Sequence, residues 1–576
     1  MKKILFTMAA LSLTSFTFAQ NYGFGDSDFG GGSGDSYEES APAVTISGEV
    51  GTEVRGWIGT TPSEEDLAKD SSLKYDSQGY KKFYDISKSE VEGSVYSNLE
   101  LNYDGDYTNA NIKLKLDEDT FKNYQEDIID EASVSGNFIE NRIQLKAGKM
   151  KEVWGKGDKV HVLDNFNAND YRDFIFPDYI DRRIGEVMFK TTANISWDYN
   201  LKIEGIYAPT MTADRFASDG KLVPYAQTKL TNTVKEVLVT QYSAGLATAL
   251  GLKQQTDGTY KTENGQEASP TTLINGIMNL SDFSTDDLYE DNIRSIKYGQ
   301  AGARLTGTIA GIDWGTSYYY GHYKQPSAKL ENLLRMQYYK GLAAKVTGLA
   351  TNAAAEIGGI LRKDIGEIVT LNYDQVQVFG IEAAFVLWKF NTRWEGAYNM
   401  TEDFEGTNPW VKNHSLGWVA GFDIDLPIHN LNLNVQETGT YILNSDKIKD
   451  MNRTVFKAPT SLTAAGTDIT WTTLGGNYDV DYNSDDKYTR NKLIVLLSDK
   501  WLNEKLTTEV QGIYGFEYKE FMVAPKIEYN VVEGLTFALR GVYLYCKEEN
   551  GEFYNFTKDS VHHDKAFVQL TAKYQF

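Results

Sequence analysis

The stretch AFVQLTAKYQF (566–576) decides the fold. Ala566, Val568, Leu570, Ala572, Tyr574 and Phe576 fall on one parity, and Gln569, Thr571, Lys573 and Gln575 on the other. A period of two with one apolar and one polar face marks a strand with different solvents on its two sides. Its terminal aromatic, Phe576, resembles the signal by which barrel-assembly machinery recognises its clients.

The same alternation recurs upstream. Leu535, Phe537, Leu539, Gly541 and Tyr543 oppose Thr536, Ala538 and Arg540, and Leu416, Trp418, Ala420, Phe422 and Ile424 oppose Gly417, Gly421, Asp423 and Asp425. Val91, Val95, Leu99 and Leu101 oppose Glu92, Ser94, Asn98 and Glu100, while Val44, Ile46, Val50 and Val54 oppose Ser47, Glu49, Glu53 and Arg55. Strands are expected near 44–58, 89–103, 107–117, 128–139, 142–149, 185–196, 200–208, 296–309 and 313–323. They continue at 374–387, 390–400, 414–426, 431–443, 489–499, 505–517, 519–531, 535–547 and 564–576. This predicts an all-β fold, a transmembrane antiparallel β-barrel of about 18 strands (16–18). Tight turns at Asp104–Asp106, Trp197–Asn200, Ala310–Asp313, Leu387–Phe390 and Pro427–Asn430 alternate with long connections at 59–88, 150–184, 209–295, 324–373 and 444–488. Short turns at one rim and long loops at the other are what such a barrel requires.

The chain begins MKKILFTMAALSLTSFTFA (1–19), with Lys2 and Lys3, a short apolar run and small residues at Thr17 and Ala19. This reads as an export signal, too short to span a bilayer as a helix. Residues 20–43 are rich in Gly, Ser and acids and read as a flexible tail. The barrel is expected to occupy 44–576, in the outer membrane of a two-membrane bacterium.

Composition agrees. The 576 residues include 37 Tyr, 27 Phe and only 11 Pro, at a mean hydropathy of −0.43. A net charge of −23 excludes the basic footprint of a nucleic-acid binder. Cys546 is the single cysteine, so no disulfide forms within the chain; a small apolar role on a strand is expected for it. Outer-membrane lipid is the implied surrounding, and no cofactor or metal is called for.

Two insertions carry helical spacing. Ala226–Leu252 has Val234, Val237, Leu238, Tyr242, Leu246 and Leu250, and Ser327–Arg362 has Leu330, Leu333, Leu334, Tyr338, Leu342 and Val346. Amphipathic helices must bury that stripe, either in the lumen or as a cap over the outer mouth.

The densest unusual segment is AGKMKEVWGKGDKVHVLDNFNANDYRDFIFPDYIDRRIGEVMF (147–189). Aromatics, glycines and the paired charges Asp170/Arg172 and Asp181/Arg183 suit a loop folded inward to narrow a pore; a self-packed surface loop is the alternative. Candidate constriction residues are Trp154, Lys156, Asp158, Asp170, Arg172, Asp181 and Arg183, with Arg393 and Glu395 from a strand. The order GK-x-x-x-VWGK-x-D, LD-x-x-N-x-x-DYRDF, D-x-RI is similar to an uncharacterised family of porin-like outer-membrane proteins known only as a domain of unknown function. Val376–Tyr398, Gly417–Gln436 and Pro525–Phe576 resemble it too. Ala168 replaces the family's usual proline, and Arg182-Arg183 its Ser-Arg. The resemblance implies a barrel with a role toward hydrophobic cargo and envelope export partners, without a known substrate.

Inward parity collects acids at Glu49, Glu53, Glu92, Glu100, Glu204, Glu382, Glu395, Asp423, Asp425, Glu509 and Glu528. It collects bases at Arg55, Lys113, Lys115, Lys146, Lys190, Lys202, Arg304, Arg393, Lys526, Arg540 and Lys573. The balance predicts neither strong cation nor strong anion preference, with many charges paired across strands. None of the six histidines (His161, His322, His414, His429, His562 and His563) lies in a nucleophile motif, and no calcium-loop spacing occurs. The expectation is a channel or transporter for small or hydrophobic solutes, not an enzyme. A surface adhesin or structural protein is the first alternative, and a barrel hydrolase the second.

Overall fold

The computed structural model describes residues 43–58, 91–217, 222, 253–255, 260–261, 267–268, 292–329, 370–406, 411–445, 457–462, 469–473, 488–548, 551–554, 556 and 565–576. Eighteen strands make one sheet. In chain order they are β1 (Ala43–Ile58), β2 (Val91–Asp104), β3 (Thr108–Leu116), β4 (Ile129–Phe138), β5 (Ile143–Met150) and β6 (Glu186–Ser196). Then come β7 (Leu201–Ala208), β8 (Gln300–Ile309), β9 (Ile312–His322), β10 (Gln375–Leu387), β11 (Phe390–Met400) and β12 (Ser415–Asp425). The last six are β13 (Asn432–Ile442), β14 (Thr489–Trp501), β15 (Leu506–Gly515), β16 (Glu520–Val532), β17 (Leu535–Tyr545) and β18 (Ala566–Gln575).

Each strand pairs antiparallel with its neighbour in sequence, and β18 returns to β1 in register from Glu49↔Gln575 to Ile58↔Ala566. Reciprocal bonds between Gly48 and Phe576, both 2.9 Å, finish the seam. Closure leaves no long free edge, the condition under which a sheet survives in hydrocarbon. The expected strands are all present. The eighth starts at Gln300 rather than 296, because Ile296–Tyr298 is a 3-10 turn.

The outward positions form an apolar belt. Val44 (64% exposed), Val134 (61%) and Ile381 (68%) would be untenable in quantity on a water-soluble surface. Trp197, Trp388, Trp501 and Phe537 lie towards the short-turn rim of this face, and Tyr318, Tyr320 and Tyr543 towards the long-loop rim, an arrangement of interfacial aromatics. No described helix is long and apolar enough to cross a membrane; the strands do so. At the short-turn rim, Ala310 and Gly311 have φ of 52° and 80°, the turn whose twist matches two paired strands.

The loops between β3 and β4 (L2, 117–128), β5 and β6 (L3, 151–185), β7 and β8 (L4, 209–299), β9 and β10 (L5, 323–374) and β17 and β18 (L9, 546–565) leave from the opposite rim. L2 holds a helical turn, Glu118–Lys122, with a capping box between Asp117 and Thr120. The helix expected over 226–252 lies outside the described residues. Of the one expected over Ser327–Arg362 only the first three residues are described, and Ser327–Lys329 is a strand paired with Thr370–Asn372, the two ends of L5 bridging each other; its apolar positions from Leu330 onward lie outside the described residues. Cys546 sits one residue beyond β17, buried among Tyr518, Phe553 and Phe556.

Candidate functional site, a loop across the lumen

L3 runs into the barrel and touches the wall on two arcs away from its own strands. It leaves β5 beside an apolar cluster of Trp154, Leu163 and Phe166 against Met188, Ile206, Tyr319, Val378 and Ala397. These wall residues all have inward parity by the strand register. Trp154 meets Phe166 edge-on at 5.1 Å, and Phe166 meets Tyr319 at 5.0 Å. Space for the rings comes from the wall: a Cβ on Gly302 would stand 2.8 Å from Phe166 and 2.9 Å from Trp154.

The loop tip docks on β11–β13 through polar groups. The Glu395 carboxylate, with a fully buried side chain, accepts from Gly157 N at 2.6 Å and Val162 N at 2.8 Å, and meets His161 Nδ1 at 2.9 Å. Gly155 has φ of 110°, and a Cβ there would lie 2.2 Å from Glu395 Oε1, so only glycine fits. Asp158 accepts from Arg393 at 2.8 Å and from Asn434 at 2.7 Å, and Lys159 N donates to Gln436 at 3.1 Å.

The other end docks on β1, β17 and β18. Arg55 Nη2 donates to Asp173 at 2.8 Å, and Arg540 donates to the Phe176 carbonyl at 2.6 Å. Phe174 and Phe176 enter a second cluster with Trp57, Val542, Phe567 and, from L9, Phe553 and Phe556. Trp57 pairs its indole with Glu92 at 3.0 Å. The loop is thus a strut held at both ends, with Arg183 bound to Asp164 within it. Each of those two side chains is 1% exposed. Burial pushes the Asp164 carboxyl up, opposed by the Arg183 guanidinium and the Tyr179 hydroxyl.

The remaining wall charge is organised. Lys146, Glu152, Lys190, Glu204, Arg304 and Glu382 alternate in sign along an arc over β5–β10. Contacts of 3.6, 2.7, 3.1 and 3.5 Å lead up to the final Arg304–Glu382 pair. Glu152 belongs to L3, so the arc also ties the strut to the wall. Cross-strand pairing of the inward charges is as expected. Glu131, Glu186, Lys492 and Glu520 also take inward parity; they stand at strand ends, where the sequence alternation fades.

The candidate residues sort accordingly. Asp158, Arg393 and Glu395 meet at the docking wall. Trp154 is buried to 2% and anchors the strut rather than facing a passage. Lys156 is half-buried at the tip and, with Lys159, makes no ion pair or hydrogen bond through its ammonium among the described residues. The Asp170/Arg172 pair forms, with Arg172 also reaching Asp119 and lying 3.9 Å over the Tyr124 ring of L2. It staples two loops together and takes no part in the crossing. The Asp181/Arg183 pair does not form: Arg183 bridges back to Asn169 in the backbone and turns its guanidinium to Asp164. Asp181 stands instead among Asp178, Lys151, Lys115 and Glu49. His161 was not singled out in sequence; the inward Glu395, with no base opposite it in the strand register, was the available signal.

Asp214 joins three loops, accepting from Asn169 N of L3 at 2.8 Å and Gln325 of L5 at 3.2 Å. Asp170–Tyr171 of L3 also pairs in parallel with Arg215–Phe216 of L4.

No family model and no curated protein matches the chain. Solved structures match over most of their length. Pseudomonas aeruginosa OccK5 (OpdH) is 10% identical with a TM-score of 0.35, covering 92% of this chain and 98% of its own. A BenF-like porin from Pseudomonas fluorescens Pf-5 is 8% identical with a TM-score of 0.38, covering 92% and 98%. OmpT of Vibrio cholerae is 8% identical with a TM-score of 0.29, covering 94% and 99%. Likenesses this distant leave the fold resting on the strand ladder itself.

Proposed function

We propose that the chain is an outer-membrane channel passing small solutes, with L3 as its constriction. The observation that carries the reading is a loop that leaves the wall at β5, crosses a polar lumen and is bonded to two further arcs of the wall, at β11–β13 and at β1 and β17. A barrel of this strand number leaves a space wide enough for solute unless loops narrow it. A lipid-facing belt with a hydrated interior is the physical requirement of such a pore.

The lumen's ion pairs leave little net field on the β5–β10 arc. Charges of L3 without an ion-pair partner among the described residues are Lys156 and Lys159 at the β11–β13 end and Asp178 and Asp181 at the other, Asp178 towards Lys526 and Arg540. These groups set what passes.

The test is conductance of the purified chain in planar bilayers. Discrete steps are expected, enlarged when L3 is released from the wall. Absence of any channel, even after deletion of 209–295, overturns the reading in favour of a surface adhesin or structural role.

A further inference from the structure

The lumen wall changes character around its circumference. On β5–β10 it is a chain of ion pairs; on β2–β5, towards the short-turn rim, amides and hydroxyls predominate. A recess of about 370 Å³ opens there, lined by the amides and hydroxyls of Asn102, Asn109, Asn111, Ser133, Ser135 and Gln144 together with four charged side chains. We propose that this recess is a binding subsite for an uncharged polyhydroxylated solute of disaccharide size, an inference that rests on the channel reading and names its substrate class.

Three observations carry it. First, the cations that line the recess are already paired. Lys113 lies 3.2 Å from Glu131 and Lys146 lies 3.6 Å from Glu152, while the Asp104 carboxylate accepts the Asn109 amide at 2.9 Å. An anionic solute finds no free cation there and would disturb pairs that exist.

Second, the free polar groups suit hydroxyls. Asn111 donates to Glu100 at 2.8 Å and to Asn102, which leaves its own carbonyl oxygen open. Gln144 donates to Asn137 at 3.2 Å, with the same result. The Ser133 and Ser135 hydroxyls take no partner among the described residues. A hydroxyl both donates and accepts, as do amides and serines, whereas a carboxylate only accepts and an ammonium only donates.

Third, no aromatic ring lines the recess. Planar or apolar solutes lack a stacking surface, and hydrogen bonds alone hold the ligand. The volume falls within the range of small-molecule sites. Binding of this kind is weak, on the order of millimolar, as passage requires.

The test uses the purified full-length chain in detergent, with sucrose as probe and glutarate as the charged control, read by saturation-transfer NMR. Sucrose is expected to receive saturation and glutarate not. The double variant Ser133→Val, Ser135→Val is expected to weaken sucrose binding about tenfold, one to two neutral hydrogen bonds' worth. Gln144→Leu, on a different strand, carries the same expectation if the double variant fails to migrate as a heat-modifiable barrel. Equal saturation of glutarate, or sucrose binding unchanged in either folded variant, overturns the subsite. Conductance measured in parallel keeps the two readings apart. Steps without sucrose binding remove the subsite alone; sucrose binding without steps removes the channel and leaves the site.

Discussion

Replacing Glu395 by alanine should undock the tip of L3 and leave the barrel standing. The buried carboxylate holds two backbone N–H groups, at 2.6 and 2.8 Å, and His161 at 2.9 Å. Hydrogen bonds to a charged group contribute about 1.5–3 kcal/mol each, but the three share one acceptor and do not add. Leaving two buried backbone donors and the His161 nitrogen without their acceptor costs about 1–3 kcal/mol per group, about 3–5 kcal/mol in all because they share one partner. At about 1.4 kcal/mol per factor of ten, the ratio of docked to released tip falls roughly a hundred- to a few-thousandfold. The second anchor, at Arg55 and Arg540, and the Asp164–Arg183 pair are untouched, so release is confined to about residues 155–162. Larger, noisier conductance steps are expected in planar bilayers, together with new tryptic cleavage after Lys156 or Lys159. Heat-modifiable migration should persist, because none of the strand ladder is altered. Glu395→Gln should fall between the two, since it keeps one acceptor oxygen but turns an amide N–H₂ towards another donor. A folded Glu395→Ala protein with wild-type conductance and unchanged resistance at both lysines refutes the docking argument.

Lys156→Glu with Lys159→Glu reverses the unpaired charge at the strut tip, and the reversal potential across a salt gradient should shift severalfold towards cations; no shift would place both lysines away from the ion path. Lys324, bonded to Gln300 at 2.7 Å, is pushed down by burial to about 7. Its native pKa lies below its unfolded one, so the L4–L5 junction should strengthen as pH rises through the window above about 7 and show the full cost of a buried cation below it. Hydrogen exchange at Met211–Phe216 between pH 7 and 10 should follow that slope, and Lys324→Met should flatten it. Burial pushes the Cys546 thiol up to about 12, so maleimide labelling of the folded chain at pH 8 should run roughly a thousandfold slower than for a free thiol. Rapid labelling would mean that L9 does not cover it.

The barrel was legible because a strand's period of two is local. Tyr574 and Lys573 declare opposite faces whatever lies beyond them, and β18 meets β1 in the register that their parity demands. Parity also located the wall half of the site, Arg393 and Glu395. The loop was legible in kind but not in detail. Asp181 and Arg183 looked paired because they are two apart, yet backbone bridging at Asn169 carries Arg183 to Asp164, nineteen residues upstream. Trp154 read as a pore residue because aromatics and glycines surround it. Only the tertiary fold shows that Gly302, almost 150 residues away, leaves the gap its ring fills. At Ser327–Lys329 pairing with Thr370–Asn372, a contact about forty residues distant, makes strand of what local spacing had joined to a helix.

That the wall is shaped for the strut bears on what the strut does. A loop that merely fell into a wide barrel would rest on generic lumen side chains, and its contacts would be exchangeable. Here the fit is written into distant strands. Gly302 and Gly380 give up their side chains where Phe166, Trp154 and Leu163 pack; a Cβ on Gly380 would stand 2.6 Å from Leu163. Glu395 gives up solvation to hold Gly157 and Val162. A carboxylate with no cation opposite it in the ladder, and glycines in the middle of membrane strands, each weaken an isolated wall. They become favourable only with the loop in place. Wall and loop therefore form one unit, with the place of L3 set by the strands it packs against rather than by its own sequence alone.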